Sequence, residues 1–304
     1  MRTPAFRYPL GTVLLVAAGL GASQSGTPQQ AVDELLAADR AFSAASAATD
    51  VVSGMSAMFA ADVVLPLPGG KFANGIPAAR AALAANAENA GARVEWTPIR
   101  GGISADGLHG FTFGYMKLHK ADQTIAPAKY LSYWIRTSEG WRVAVYKRTR
   151  RPDSPVSTAL LPAALPPRMV KPSDDDATVE AYRKSIDRAE RDFSDEAQRI
   201  GLGPAFAKYG SADAVNMGGP AAAGFVIGSE AIGRTVSAGD APGGSPVSWA
   251  PDRVIVASSG DLGVTIGMIR PNAQPADGST PAGFAFFTIW RRATPKDPWR
   301  YVAE

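Results

Sequence analysis

The chain of 304 residues reads as an α+β protein built from two copies of one domain in tandem. Three observations predict this. The stretch Val94 to Met116, VEWTPIRGGISADGLHGFTFGYM, recurs as Val247 to Ile269, VSWAPDRVIVASSGDLGVTIGMI. In each half a helix-periodic segment comes first, and β-branched and aromatic residues with two-residue alternation follow. Between the halves lie Pro152, Pro155, Pro162, Pro166, Pro167 and Pro172, which forbid regular helix and sheet interiors.

The order of elements follows from the residues. Arg2 and Arg7 precede the apolar run Gly11 to Ala22, which ends in small residues, the layout of a secretory signal peptide over residues 1–22. This predicts export to a periplasmic or extracellular location. The run is too short for a stable membrane span, which needs roughly 20 residues. Gln30 to Ala48 places Val32, Leu35, Leu36, Asp39, Phe42 and Ser46 at helical spacing. A second short helix is expected to hold Met55, Met58 and Phe59 and to end before Asp62, and a third to begin at Pro77, a residue suited to a first helical position. Four strands are then predicted at about 94–104, 108–118, 129–137 and 141–148, the last two joined by a tight turn at Ser138-Glu139-Gly140.

The second copy repeats this order. Asp39-Arg40-Ala41-Phe42-Ser43 answers to Glu190-Arg191-Asp192-Phe193-Ser194, Asp62-Val63-Val64 to Asp213-Ala214-Val215, and Trp96, Pro98 and Arg100 to Trp249, Pro251 and Arg253. Tyr133-Trp134 meets Ile289-Trp290, and Trp141-Arg142 meets Trp299-Arg300. The resulting division is a first domain at 29–151, a proline-rich linker at 152–176 and a second domain at 177–304, each copy near the common domain size. The linker reads as extended, with its apolar insert TALLPAAL available to a domain surface.

Composition narrows the chemistry. The chain has no cysteine, so disulfides, thiolate zinc sites, redox pairs and thiol nucleophiles are excluded. With His109 and His119 as its two histidines, a His-rich metal cluster is excluded too, and neither metal nor cofactor is expected. The formal charge of +3, two units of which sit on Arg2 and Arg7, offers no electrostatic ground for binding nucleic acid. The sequence contains no G-x-S-x-G elbow, no phosphate-binding G-x-x-x-x-G-K-[ST] loop and no H-E-x-x-H.

Three motifs, MFAADVVLPLPGG from Met58, FANGIPAARAAL from Phe72 and YWIRTSEGWRVAVYKR from Tyr133, resemble the nuclear-transport-factor-2-like superfamily. That group includes SnoaL-like polyketide cyclases, ketosteroid isomerases and scytalone dehydratase. Copy two carries the counterparts AKYGSADAVNMGGP, FVIGSEAIGRTV and FTIWRRATPKDPWRYVA. The resemblance implies two tandem cone-like domains, each with helices packed on a curved antiparallel sheet. It also implies a ligand pocket within the cone, and pairing through the sheet face, here as an intramolecular pseudo-dimer. Asp62 looks like a residue of the helix end and turn in this pattern, and no catalytic role is carried onto it.

The candidate site comes from comparing the copies. Alternate strand residues share a face, so Leu108, Gly110, Thr112, Gly114 and Met116 form one face, and His109, Phe111, Phe113 and Tyr115 the other. Copy two keeps Gly263, Thr265 and Gly267 but has Leu262, Val264, Ile266 and Met268 opposite. A face held to Gly-Thr-Gly predicts close packing of helices or an opposing sheet. The changed face then predicts a pocket in copy one, lined by Phe111, Phe113, Tyr130 and Tyr133, with copy two filled or purely apolar. There His109 would serve as general acid or base, and Tyr115 or Tyr133 as donor to a developing oxyanion. The expected activity is binding of a small apolar organic ligand, with any catalysis a cofactor-independent isomerisation, cyclisation or dehydration. Two readings stay open: this site, or a non-catalytic tandem protein serving assembly or partner binding, in which His109 is structural. Trp96 and Arg100 read as structural in either case, and Lys147 to Arg151 as a solvated strand end.

Overall fold

Each half of the chain lays its helices on one face of a six-stranded sheet. A computed structural model describes residues 26–240, 243–273 and 283–304. The signal segment predicted at 1–22 lies outside the described residues.

In the first half α1 (Pro28–Ser46) starts at a capping box, in which the Thr27 hydroxyl accepts from the Gln30 amide and the Gln30 side chain accepts from the Thr27 amide. Its stripe of Val32, Leu35, Leu36, Asp39 and Ser43 is buried. α2 (Val51–Ala57) is capped by Asp50, which accepts from the Ser53 amide. Then come β1 (Phe59–Leu67), β2 (Lys71–Asn74), α3 (Gly75–Ala85), β3 (Arg93–Ile103), β4 (His109–His119), β5 (Ile125–Thr137) and β6 (Gly140–Arg150). The second half repeats them as α4 (Asp176–Ile200), α5 (Leu202–Tyr209), β7 (Gly210–Asn216), β8 (Val226–Ile227), α6 (Ser229–Val236), β9 (Val247–Val256), β10 (Leu262–Pro271), β11 (Phe284–Arg291) and β12 (Arg300–Ala303). The sheets have the same order, β2-β1-β6-β5-β4-β3 and β8-β7-β12-β11-β10-β9. All neighbours are antiparallel except β1 with β6 and β7 with β12.

Two strands per half differ from the sequence expectation. Phe59 opens β1 instead of closing a helix, and Asp62 lies within that strand rather than at a helix end. The ladder from β1 to β6 shifts register between Phe59 and Val64. Such an irregularity breaks the two-residue alternation by which a strand is read from sequence.

The Gly-Thr-Gly face turns toward the helices. A Cβ on Gly110 would collide with Leu35 of α1, and one on Gly263 with Ile186 of α4. A Cβ on Gly114 or Gly267 would strike the carbonyl of Thr97 or Ala250, where β3 and β9 shift register. These glycines let a helix and a bulged strand approach the sheet in both halves.

The opposite face meets the other half. Phe111, Phe113, Leu131, Tyr133 and Val145 share one buried cluster with Val264, Ile266, Phe287, Ile289 and Val302. Its rim is pinned crosswise. Arg100 pairs with Asp213, and Arg253 with Asp62 at 2.7 Å. Asp106 accepts from the Ser258 hydroxyl at 2.9 Å and the Ser259 amide at 3.1 Å, while Asp261 accepts from the Ala105 amide at 3.0 Å. Lys129, fully buried, donates to the carbonyls of Ala222 at 2.6 Å and Gly224 at 3.1 Å. The arginine–aspartate pairs and the aspartate–turn contacts each run in both directions between the halves.

The linker runs beside β3. The Leu161 amide donates to the Ile99 carbonyl at 2.7 Å, Ala164 exchanges bonds with Gly101 and Ile103, and the Val170 amide reaches the Ala105 carbonyl at 2.8 Å. The apolar insert thus covers a sheet edge that would otherwise present unpaired backbone. Limited proteolysis is expected to cut first at 157–160, which is exposed, and the two fragments to co-elute on gel filtration because their cores are shared. Fragments that separate, or early cleavage inside 94–148, would contradict this.

Candidate functional site

A cavity of about 320 Å³ lies inside the second half, against its border with the first. Phe193, Leu202, Phe206, Val236, Trp249, Ile269 and Phe286 supply apolar wall; Glu190, Asn216, Thr288 and Glu304 supply polar groups; and Lys147 reaches in from β6. A larger surface groove of about 640 Å³ runs along α4. It is lined mostly by charged side chains, some paired with each other, such as Arg183 with Glu180 at 2.5 Å and Arg191 with Asp187 at 2.9 Å, and among its lining residues Val254 alone is apolar.

The cavity is on the helix-facing side of the sheet and in copy two, which corrects the expectation that copy two is filled or purely apolar; the first half has clefts of its own, of about 330 Å³ beside Met116, Leu118 and Ala128 and about 190 Å³ beside Leu65, Leu83 and Tyr146. Strand register supplies the reason. Tyr133 pairs with Val145 and Trp134 with Val143 in copy one, as Ile289 pairs with Ala303 and Trp290 with Tyr301 in copy two. Glu304 therefore holds the place of Tyr146, and Phe286 that of Tyr130. In copy one Tyr146 packs on Phe59 with ring centroids 6.0 Å apart and reaches the Met116 sulfur at 3.7 Å, while Tyr130 packs edge-on against Trp96. These rings occupy part of the first cone, whereas in the second a carboxylate replaces one ring and a hydroxyl is lost from the other.

Each cone holds one buried acid on its first helix. Asp39 accepts from Trp96 Nε1 at 2.5 Å and the Tyr130 hydroxyl at 2.7 Å. Glu190 accepts from Trp249 Nε1 at 2.6 Å, Trp290 Nε1 at 2.8 Å and the Thr265 hydroxyl at 2.5 Å. Burial pushes both carboxyls above their ordinary range, against the hydrogen bonds that favour the charged form. Glu304 accepts from Asn216 Nδ2 at 2.8 Å. Its burial outweighs that bond and the nearby Lys147 charge, and carries its pKa up to about 7. Burial drives Lys147 down to about 8, partly offset by Glu304. The Lys147 ammonium lies 4.9 Å from the centre of the Phe287 ring.

The residues expected to form one pocket are divided between two faces. His109 and Tyr133 do come together, with His109 Nδ1 2.9 Å from the Tyr133 hydroxyl, but within the layer between the sheets. Burial lowers the pKa of His109, with Asp106 opposing, so the ring is neutral at neutral pH. Phe111 and Phe113 are fully buried in that layer. Tyr115 sits at its edge, under the Arg151 guanidinium at 5.3 Å and against Phe225. Tyr130 is in the other core, bound to Asp39. The face that changed between the copies is the inter-sheet face, so its aromatics are packing partners there.

Glu190, Glu304 and Lys147 were not singled out from sequence. A signal for the first existed: both copies place an acid, Asp39 or Glu190, inside an apolar helical stripe. Lys147 belongs to a run read as a solvated end, yet Lys147 is partly buried and Arg148 donates to the Asn89 side chain at 2.6 Å. Among the described residues, no group of three or more metal-ligating side chains converges, and no helix is long and apolar enough to cross a membrane.

No protein-family profile matches the chain, and no curated protein does. Solved structures do. An NTF2-like protein with a cystatin-like fold from Novosphingobium aromaticivorans is 15% identical, with 41% of this chain and 85% of that one covered and a TM-score of 0.33. A ketosteroid isomerase-like protein from Erwinia carotovora is 18% identical, with 42% and 94% covered and a TM-score of 0.28. A Catenulispora acidiphila protein in complex with S-DNPA is 15% identical, with 39% and 91% covered and a TM-score of 0.31.

The Glu304 shift has a consequence for stability. The unfolded chain gives up this proton near the ordinary value of 4.5 and the folded chain near 7, so Glu304 makes stability fall as pH rises between those values. Glu304→Gln should remove that fall, a difference of roughly 1–3 kcal/mol between variant and parent across the window in denaturant unfolding. Parallel pH profiles for the two proteins would show that the Glu304 pKa is not raised in the folded chain.

Proposed function

We propose that the chain binds a small, neutral, largely apolar organic molecule in the cone of its second half, with the first half as structural support that contributes Lys147. One observation carries the reading: a cavity of about 320 Å³, walled by aromatic and aliphatic side chains, into which a few polar groups converge. That size and lining belong to small-molecule sites. Glu304, raised to about 7, has the proton affinity suited to cofactor-independent acid–base work at neutral pH, in the isomerase, cyclase or dehydratase manner. Glu190 spends its oxygens on three donors and acts as the organiser of the wall. The shared apolar layer and its crosswise ion pairs support reading the two halves as an intramolecular pseudo-dimer. The assembly reading suits the first half, where Tyr130 and Tyr146 pack inside the cone and His109 binds Tyr133 in the layer between the sheets.

Naphthol, a neutral aromatic of suitable size, should bind the full chain and quench tryptophan fluorescence, since Trp249 lines the cavity. Ala285→Phe, which adds a ring to the wall, should weaken that binding at least about tenfold, or about 1.4 kcal/mol. Absence of binding to the parent, or equal binding by the variant, would overturn the assignment. Export is a further part of the proposal, resting on Arg2, Arg7 and the apolar run before Ser23. Mass spectrometry of protein from its native host should find a mature chain starting near Ser23; an intact Met1 in the cytoplasmic fraction would refute it.

A further inference from the structure

We propose that Lys147 is the nucleophile of an imine-forming site, at which the first half's amine condenses with a small apolar aldehyde or ketone held in the second half's cavity. This rests on the ligand-binding reading above.

The position of the amine is the first ground. Lys147 lines the cavity, and its Nζ faces the Phe287 ring at 4.9 Å. Among the described residues it makes no hydrogen bond and no ion pair within 4 Å. Lys129 provides the contrast within the same molecule. It is fully buried in β5 beside the other half, and burial likewise brings its pKa down to about 8, but its Nζ is spent on the carbonyls of Ala222 and Gly224. Lys129 is a clamp between the halves, whereas the amine of Lys147 is open to a ligand.

The chemical class of the ligand follows from the neighbours. Glu190 and Glu304 line the same volume, so a ligand carboxylate or phosphate would meet two acids for one lysine. The walls are otherwise aromatic and aliphatic, which leaves a neutral apolar body. A lysine desolvated in such surroundings keeps a useful fraction of free amine near neutral pH, the condition for attack on a carbonyl. Glu304 supplies the acid. Held through Asn216 Nδ2 at 2.8 Å, it retains its proton into the neutral range.

The step balances without oxidant or reductant. The Lys147 nitrogen lone pair attacks the carbonyl carbon and forms a C–N bond, and the C=O π pair moves to oxygen, which takes up a proton to give a carbinolamine. Nitrogen then loses its proton, Glu304 protonates the hydroxyl, and water leaves as the C=N bond forms. Amine and carbonyl become imine and water.

The test treats the full chain with naphthaldehyde and sodium cyanoborohydride, which reduces an imine to a stable secondary amine, and locates the adduct by peptide mapping. Lys147 should be labelled at least about tenfold faster than exposed lysines such as Lys71, Lys117 and Lys171, with naphthol competing. Lys147→Met should lose the fast label, and Glu304→Gln should slow it at least about tenfold without moving it. If the methionine variant does not fold, mapping of the parent decides alone. Naphthol binding with labelling spread evenly over exposed lysines would overturn the imine site and leave the ligand reading intact. Failure of naphthol to bind, with no fast label, would overturn both.

Discussion

The apolar layer between the two sheets is the constraint on which the rest of the structure depends. Phe111, Phe113, Leu131 and Tyr133 from one sheet close on Val264, Ile266, Phe287 and Ile289 from the other. With one sheet face committed to this layer, the helices must cover the opposite face, and the interior of each cone lies beneath α1 or α4. The polar groups at the border then acquire fixed positions. Arg100 and Arg253 find an aspartate across the interface, and the turns holding Asp106 and Asp261 bind each other's backbone and hydroxyl groups. His109 is held neutral against Tyr133 at this border.

Within that frame the copies diverge by a few side chains of different volume. Tyr130 and Tyr146 occupy the first cone; Phe286 and Glu304 stand in their places in the second. Removing an aromatic ring from a packed interior leaves space that its neighbours fill only in part. Here the space is bordered by a carboxylate and by an amine from the other half. The buried acids of the first helices are alike in their support, each tied to a strand tryptophan. The acid-and-tryptophan pairing belongs to the architecture of both cones, and the cavity beside Glu304 and Lys147 to the second.

Duplication also explains how one chain can carry both. A half whose cone holds Tyr130 and Tyr146 loses nothing from its sheet face, where it packs on its neighbour. Lys147 follows Tyr146 within β6, so the strand that lines the first cone also delivers a side chain to the second.

Repeated motifs, helix stripes and alternating strands were legible in the amino-acid order because each is a local pattern of period 3.6 or 2. They established the α+β class, the tandem repeat, the main helices, four strands of each sheet and a closely packed Gly-Thr-Gly face, without saying whether helices or a sheet pack on it. β1 and β7 were hidden because their parallel ladders join distant segments and slip in register, and β8 is two residues long. The candidate site was legible only in fragments. His109 and Tyr133 do meet, but a two-residue period says which residues share a face and not what that face meets. That was decided by the closing of one sheet on the other, which places Phe111 and Phe113 in a packed layer, Tyr130 in the first cone, and Lys147 beside Glu304 from the far end of the chain. The physical reason is that burial and cavity volume depend on residues distant in sequence, whereas periodicity is a property of neighbours.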